Sequence, residues 1–326
     1  MNPLCSIVIR AFNEEKHIGK LLQGISSQSV ESVQVILVDS GSTDHTVAIA
    51  ESFGAKIVHI QPGQFTFGRS LNLGIAQAKA DFVVLASAHV YPVYPDWLEK
   101  MLEPFRDDKV ALVYGKQSGC ATSKFSELQI FRCWYPDTSN FDQSTPLCNN
   151  ANAAIRKSLW EKHPYDEELT GLEDLAWATW AKEQGHKIAY SAEAEIVHVH
   201  QETWKGIYNR YRREGMAFKR IHPQATFTFM EFIRVLCQNI WNDWREARMQ
   251  RRLRKEFCRI VQFRFCQFWG TYQGYRQSGP LTWQLKRSFY YPRIEPEVDN
   301  RNGRQGVQPI SYGKDTTPEK SKESER

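Results

Sequence analysis

Hydrophobic residues follow two alternating patterns along the first hundred positions. Continuous apolar runs predict buried strands, and apolar residues three or four apart predict helices between them. Strands are predicted at 4–11, 33–38, 56–60 and 82–86, with helices over Ile18–Ile25, from Ser42, at 69–79 and over Leu98–Phe105. Strands that alternate with helices indicate an α/β fold with a largely parallel sheet covered on both faces.

The pattern loosens from about residue 113 and changes again at Trp204. Between these points the sequence predicts a loop at 134–147, strands at 149–156, 187–191 and 194–200, and a helix at 173–184. The later chain is basic and aromatic, with helices predicted over 204–222 and 227–276, and it becomes polar after about 295. We therefore predict a domain at 1–203, a helical extension at 204–293 and a disordered tail at 294–326.

Composition limits the cellular compartments in which the protein is expected to act. The formal net charge is only +5, and the seven cysteines are scattered without a Cys-x-x-Cys pair. This usage favours a reducing, cytoplasmic compartment. We see no secretory signal and no apolar run of the roughly 18 to 20 residues that a bilayer requires. The sequence therefore predicts a protein that is soluble or lies on a membrane surface.

Ligands of such sheets bind at the carboxyl ends of the strands, so residues 10–14, 39–44 and 87–89 are candidate site segments. No Gly-x-Gly-x-x-Gly follows the first strand, and no Gly-x-x-x-x-Gly-Lys-Ser/Thr occurs. These absences argue against a dinucleotide-dependent oxidoreductase and a P-loop NTPase.

Four motifs follow one another along the chain, and their order and spacing carry the resemblance described next. They are Ser6-Ile-Val-Ile-Arg-Ala-Phe-Asn-Glu-Glu, Val38-Asp-Ser-Gly-Ser-Thr-Asp, Arg69-Ser-Leu-Asn-Leu-Gly and Glu173-Asp174. Over roughly 4–200 the chain resembles the family 2 glycosyltransferases. The resemblance implies a GT-A fold, which is Rossmann-like with a mostly parallel sheet flanked by helices, here with a C-terminal basic helical extension. It also implies inverting transfer of a hexosyl or deoxyhexosyl group from a nucleotide-sugar donor to a glycan or polyprenyl-linked acceptor. Such transfer would serve polysaccharide or cell-surface glycan biosynthesis.

Asp174 is the general base that the resemblance implies, and Glu173 would orient the acceptor or the loop. Both acids open a predicted helix, whose positive N-terminal end favours a carboxylate. We therefore expect Asp174 to be ionised near neutral pH, as a general base must be. The alternative is a helix start that simply favours acidic residues.

The resemblance also implies a set of donor-binding residues, namely Arg10, Phe12, Glu14, Asp39, Ser40, Arg69, Asn72 and Ser87. Structural alternatives exist for several of them. Asp39 would cap a turn, Glu14 would begin a helix, and Arg69 and Asn72 would serve packing.

The family's metal motif, Asp-x-Asp or Asp-x-His, reads Ser87-Ala-His89 here. His89 occupies the ligand position, and Ser87 cannot supply the charge of the usual first aspartate. His198 and His200 are two apart in a predicted strand and so point to one face, which makes them further ligand candidates. The resemblance implies a divalent cation, Mn²⁺ or Mg²⁺, and imidazole suits Mn²⁺ better.

Two further groups have assignments of the same kind. Asn149, Asn150 and Asn152 are candidates to line the acceptor pocket, with turn chemistry as the alternative. Arg212 and Arg213 lie where basic residues of the family can meet the diphosphate.

Arginines alternate with aromatic residues in the extension, as in helices that bind the interface of an anionic membrane. We expect association with the cytoplasmic face of a membrane, which is compatible with the alternative of a helical cap with outward arginines. Nucleic acid is not an expected partner, since no RNA-binding signature accompanies the arginines. Two rival functions remain: a non-catalytic scaffold, motivated by Ser87, and a nucleotidyltransferase, which should carry a Gly-rich basic loop after the first strand.

Overall fold

A computed structural model describes residues 3–277, 289–290, 308 and 310–312, and the side chain of Pro62 is not among the described groups. The strands are β1 Cys5–Ala11, β2 Val33–Asp39, β3 Lys56–His59, β4 Phe82–Ser87, β5 Val90–Pro92, β6 Val110–Ser118, β7 Asn152–Arg156 and β8 Lys187–His198. The helices are α1 Ile18–Ser26, α2 Thr46–Ser52, α3 Phe67–Ile75, α4 Trp97–Leu102, α5 Phe125–Trp134, α6 Lys157–Lys162, α7 Glu173–Glu183, α8 Trp204–Ile221, α9 Phe229–Met249 and α10 Leu253–Arg276. Short 3₁₀ turns occupy Pro62–Gln64 and Glu103–Arg106.

The strands form one sheet in the order β3-β2-β1-β4-β7-β6-β8-β5. The first four strands are parallel, and β6 pairs parallel with β8, whereas β7 and β5 run antiparallel to their neighbours. This is the mixed, mostly parallel sheet of the predicted α/β class. Ile7, Val8 and Ile9 of β1 have no exposed surface, because apolar clusters cover both faces of the central strands.

Two features of the second half differ from the sequence prediction. The strands predicted at 187–191 and 194–200 are one strand, β8, with an irregularity opposite Gly115 and Gln117 of β6. A bulge adds residues to one strand and interrupts the alternation, which explains the apparent gap. Strand β6 and helix α5 were not predicted, since the apolar pattern around residue 113 gave no clear period.

Over residues 204–277 the extension is built from helices α8, α9 and α10, as the helical prediction for 204–222 and 227–276 expected. Arg251 has a φ of 57°, a left-handed conformation that ends α9 before α10 begins, so the helical segment predicted at 227–276 consists of two helices. Helix α9 starts with a capping box, in which Thr228 and Glu231 each satisfy the other's backbone N–H. Helices α8 and α10 approach closely at Gly215 and Gly274, where an added Cβ would lie 2.7 Å and 2.2 Å from backbone oxygens of the other helix.

The predicted tail at 294–326 lies outside the described residues except for 308 and 310–312, and so do residues 278–288 and 291–293 of the predicted extension. The described part of this segment contacts the sheet. The Ile310 N–H donates to the Val93 carbonyl at 3.1 Å, and the Tyr312 hydroxyl donates to the Pro92 carbonyl at 2.7 Å. These contacts join residues far apart in sequence at the edge strand β5.

Within the described residues, the helices all fall short of the length and apolarity that a bilayer crossing requires.

Candidate active site

Asp174 and Glu173 occupy the first turn of α7, which follows Leu172 in a left-handed conformation with φ 55°. Both acids are buried. Asp174 accepts hydrogen bonds from the backbone N–H groups of Leu175 at 2.8 Å and Asn150 at 3.1 Å. Each carboxylate oxygen therefore has one fixed donor, which orients the group.

Burial, together with the negative charge of Glu173, raises the pKa of Asp174 to about 7, although the two backbone donors and Arg10 act in the opposite direction. This corrects the expectation that the helix end alone would keep Asp174 ionised at neutral pH. The reason is that removing the carboxylate from water destabilises its ionised form by more free energy than the helix end and the two N–H donors restore. A carboxyl with a pKa near 7 exchanges protons readily at neutral pH, which suits a general base.

Arg10 at the end of β1 connects these acids to the rest of the cleft. Its Nη1 lies 3.6 Å from Glu173 Oε1, and its guanidinium carbon lies 4.8 Å from the centre of the Phe67 ring. In the described part of the chain, Nε and Nη1 of Arg10 have no hydrogen-bond partner although both are buried. Buried donors of a cation are normally satisfied, so Arg10 has capacity for an anion that enters the cleft.

Arg213 of α8 lies over the same aromatic ring, with its guanidinium carbon 4.6 Å from the Phe67 centre. Its Nη1 donates to the Phe289 carbonyl at 3.2 Å, and its Nε has no hydrogen-bond partner among the described residues. The positive charges of Arg213 and Arg10 repel each other, and the charge of Arg213 is one of the causes that lower the pKa of Arg10. Two guanidinium groups therefore lie against one aromatic ring beside the acids.

Phe289 and Tyr290, which lie far along the chain, also pack against Phe67 and Arg213. Both are buried, and Tyr290 packs edge-on against Phe67 with ring centres 5.3 Å apart. The Tyr290 hydroxyl donates to the Thr170 carbonyl at 3.2 Å. Arg213 is thus held between residues 170–171, which precede α7, and the C-terminal segment 289–290. Its neighbour Arg212 donates to Gln277, and its Nε likewise has no hydrogen-bond partner among the described residues.

His89, His198 and His200 converge on one another near Arg10. Their nitrogens lie close enough for one ion, within 4.8 Å of one another, and Nε2 of His198 and His200 are 2.9 Å apart. His89 and His198 rings stack with centres 5.2 Å apart. Burial, with the nearby charges of the other histidines, lowers the pKa of His198 well below its usual value. His198 is therefore neutral at pH 7, as a metal ligand must be.

Each imidazole is anchored through its other nitrogen. The Nδ1 of His89 donates to Glu14 at 2.7 Å, that of His198 to Gln117 at 2.8 Å and that of His200 to Glu127 at 2.7 Å. Oxygen partners on Nδ1 are the usual outer shell of metal-binding histidines, because they direct Nε2 toward the ion. Two Nε2 atoms 2.9 Å apart need a proton or a metal cation between them, because their lone pairs would otherwise repel each other. The residues therefore fit a divalent metal ion.

The remaining donor-binding candidates form the rim at β1, β2 and β4. Asp39 is buried and accepts from the backbone N–H groups of Gly41 at 3.1 Å and Ser42 at 3.2 Å, so it caps its turn. Ser40 donates to the Ala11 carbonyl at 3.1 Å. Phe12 is partly buried just after β1, and Ser87 ends β4 one residue before the His89 turn.

The side chains of Arg69 and Asn72 of α3 are engaged by residues 160–167 and are not free at the rim. The Asn72 amide nitrogen donates to the Tyr165 carbonyl at 2.9 Å, and its oxygen accepts from Trp160 Nε1 at 2.9 Å. Arg69 pairs with Glu167 at 3.0 Å. The geometry favours the packing alternative for both residues, and their donor role remains a prediction.

The three asparagines have different environments. Asn150 lies against the acids, since its side-chain nitrogen is 3.5 Å from Glu173 Oε1 and its oxygen accepts from the Tyr165 hydroxyl at 3.3 Å. Asn149 is partly exposed and caps its own turn by accepting from the Ala151 N–H at 2.9 Å.

Asn152 has no exposed surface and uses its amide within the sheet. It accepts from Trp97 Nε1 at 2.9 Å and donates to the Ala194 carbonyl at 2.9 Å. The structure gives it a structural role in place of the predicted contact with an acceptor.

Sequence reasoning missed several residues of the site, namely Phe67, Gln117, Glu127, Arg210, Phe289 and Tyr290. Glu127 is buried between His200 and Arg210, whose guanidinium lies 2.9 Å from it, and its interactions with these two side chains lower its pKa to about 2. Apart from Phe67 of α3, these residues come from β6, α5, α8 and the C-terminal segment, outside the motifs quoted above. Only Phe67 carried a signal, since it precedes the Arg69 motif by two residues.

Comparisons with known proteins agree on one family. The sequence model described as Glycosyl transferase family 2 matches residues 6–163. An O-antigen chain rhamnosyltransferase of Salmonella anatum is 30% identical over 200 residues, covering 58% of this chain and 64% of the relative. Another O-antigen chain rhamnosyltransferase, of Salmonella typhimurium, is 25% identical over 224 residues, covering 65% and 71%. The match thus spans a little under two thirds of the first relative.

Solved structures with a similar fold include a mannosyltransferase from Pyrobaculum calidifontis in complex with GDP-Man and Mn²⁺. It superposes with a TM-score of 0.55 at 16% identity over 84% of this chain and 85% of the other. S. aureus TarS in complex with UDP-GlcNAc gives a TM-score of 0.52 at 15% identity over 96% and 99%. These likenesses show the fold, which is GT-A as the sequence predicted.

Proposed function

Because the chain belongs to the family 2 glycosyltransferases, we propose that it is an inverting transferase. It moves a sugar from a nucleoside diphosphate to a hydroxyl of a glycan or lipid-linked acceptor. The observation that carries the proposal is the adjacency of a buried carboxyl with a pKa near 7 to two guanidinium groups with unused donors. A scaffold protein has no need for this costly arrangement, so we favour the enzyme.

Asp174 accepts the proton of the acceptor hydroxyl as that oxygen attacks the anomeric carbon. The bond from this carbon to the diphosphate oxygen breaks, and its electron pair leaves with the nucleoside diphosphate. One displacement inverts the anomeric centre, through a transition state with oxocarbenium character like that of glycoside hydrolysis. Glu173 holds Arg10 through its 3.6 Å ion pair and thereby positions the cation beside the reacting atoms.

Arg10 and Arg213 stabilise the charge that grows on the departing diphosphate, because their unpartnered N–H groups are already oriented in a site with little water. The guanidinium of Arg212 lies 5.8 Å from the centre of the Phe289 ring, beside the carbonyl to which Arg213 donates. His89, His198 and His200 would hold a divalent cation, which when bound supplies positive charge to the diphosphate. Their imidazoles favour Mn²⁺ over Mg²⁺ as that ion.

The rim at Phe12, Asp39, Ser40 and Ser87 is proposed to take the nucleoside, with Glu14 both near it and anchored to His89. The two rhamnosyltransferase relatives support a deoxyhexose as the donated sugar and a cell-surface polysaccharide as the product. All seven cysteines are free, which supports a reducing, cytoplasmic site of action.

A panel of nucleoside diphosphates and nucleotide sugars tests the function. We expect at least one member to raise the melting temperature in the presence of Mn²⁺, since a ligand that binds only the native state stabilises it. The same donor should be hydrolysed slowly or transferred to a lipid-linked glycan. Nucleotide binding without hydrolysis or transfer for every donor would favour the scaffold alternative.

We expect Arg213→Met to raise the dissociation constant of the nucleoside diphosphate by about 10- to 100-fold, the effect of losing one or two charged hydrogen bonds. Titration calorimetry measures this constant. Arg220→Met is the matched control, because Arg220 is an exposed residue of the same helix that pairs with Glu168. Equal affinity in both variants would remove Arg213 from the diphosphate site.

A further inference from the structure

The helical hairpin of α9 and α10, residues 229–276, presents an apolar outer face. The two helices are antiparallel, since Phe229 packs on Tyr272 and Trp244 stacks on Phe257. On α9, positions spaced three and four apart point outward and are apolar: Met230, Ile233, Cys237 and Trp241. Met230 is 74% exposed and Trp241 67%. Residues at this spacing share one face of a helix.

Helix α10 adds a second apolar strip beside the first. Phe257, Cys258, Val261 and Phe265 are exposed, and with Leu236 and Gln262 they line an open groove of about 440 Å³. Soluble proteins rarely expose so many large apolar side chains together, and such patches usually mark an interaction surface.

The same hairpin carries the positive charge of the protein. Residues 229–276 contain ten Lys and Arg against four Asp and Glu, a net of +6, whereas the whole chain has a net charge of only +5. Its acids are already engaged: Glu231 in the helix cap, Asp243 with buried Arg264, Glu246 with Arg132 and Glu256 with Arg252. Eight cations are left exposed, at 234, 245, 248, 251, 254, 255, 259 and 276.

We propose that this hairpin face binds the surface of an anionic lipid bilayer, with Trp241 and the outer apolar residues at the level of the headgroups. Apolar residues flanked by exposed arginines match the two components of such a surface. A second copy of the chain is a poorer partner, because pairing two like faces would bring two sets of exposed cations together. The proposal agrees with a lipid-linked acceptor but does not depend on the proposed catalysis.

Sedimentation of the full chain with lipid vesicles tests the proposal. We expect binding to vesicles of phosphatidylcholine with phosphatidylglycerol, little binding to phosphatidylcholine alone, and release at high salt. Trp241→Ser should weaken binding at least about tenfold, since an inserted aromatic side chain is lost. Arg245→Gln and Arg248→Gln should each weaken it about fivefold, the effect of one basic residue near an anionic surface.

Phe53→Ser is the matched control, because Phe53 is 44% exposed at the end of α2, in another part of the chain. Nucleotide binding of every variant is measured in parallel, so that a failure of this proposal is distinct from a failure of the proposed function. Equal binding to neutral vesicles, or no vesicle binding, overturns the proposal. So does a concentration-dependent dimer in sedimentation equilibrium that Trp241→Ser abolishes.

Discussion

Asp174→Asn is expected to lower the rate of sugar transfer by about 10²- to 10⁴-fold while leaving nucleotide affinity within a few-fold. General base catalysis contributes a factor of this size, and an amide cannot accept the proton. Steady-state kinetics with the donor found by the nucleotide panel measure the rate, and calorimetry measures the affinity.

The substitution is also expected to lower the stability of the folded protein, and this effect must be measured separately from the loss of base catalysis. Both oxygens of Asp174 accept backbone N–H groups, and an asparagine would present its own NH₂ to one of them. Leaving one buried donor unsatisfied costs about 1 to 3 kcal/mol, so melting temperature and nucleotide binding are recorded with the rate. Glu183→Gln, an exposed residue at the other end of α7, is the control. Near-normal turnover of Asp174→Asn would refute the assignment of the base.

The pH profile of the same reaction follows from the raised pKa of Asp174. Only the ionised carboxylate accepts a proton, so kcat/KM should fall about tenfold per pH unit below about 7 and level off above it. The substrate-free enzyme sets this profile, since kcat/KM reports groups of the free enzyme. A profile that is flat over about three pH units around 7 would contradict Asp174 as the base.

A graded loss of Mn²⁺ affinity is expected across the histidine site. His198→Ala removes a ligand and should weaken Mn²⁺ binding by more than about 100-fold, whereas Gln117→Leu removes only the anchor of His198 and should cost about 10- to 100-fold. The electron paramagnetic resonance signal of free Mn²⁺ measures the bound fraction directly, with and without a nucleoside diphosphate. Mg²⁺ should bind at least about tenfold more weakly than Mn²⁺, because its preferred ligands are oxygens.

His45→Ala is the control for this series, since His45 is an exposed histidine at the start of α2. If His198→Ala and His45→Ala bound Mn²⁺ equally, the three histidines would not form the metal site. If Gln117→Leu behaved as the native chain does, the outer shell would have no part in holding the ion.

The sequence predicted the first half of the sheet well because strands β1, β2 and β4 are buried on both faces and read as unbroken apolar runs. Their ends carry motifs, so Arg10, Asp39 and His89 could be assigned to the rim from their positions alone. The bulge in β8 and the left-handed Arg251 could not be predicted, since both depend on local backbone geometry that leaves no period in the sequence.

The charge state of Asp174 depended on information that the sequence does not contain. Its position at a helix start favoured ionisation, but the degree of burial and the distance to Arg10 are set by tertiary packing. The same holds for Gln117, which reaches His198 because β6 and β8 pair in parallel, and for Glu127, which α5 brings to His200. Chemistry that arises from neighbouring residues in space, rather than from neighbours in a motif, is therefore where sequence reasoning stops.

The close glycine contacts between α8 and α10 limit which segments can be exchanged between related transferases in a chimaera. Because Gly215, Gly270 and Gly274 leave no room for a methyl group between the two backbones, the pair is tightly matched. Helix α8 also carries Arg210 and Arg213 into the cleft. A chimaera joined near residue 203 would therefore import a foreign cleft wall with its helices. Transplanting donor preference should require α8, α10 and the Phe289–Tyr290 segment to travel as one inseparable block.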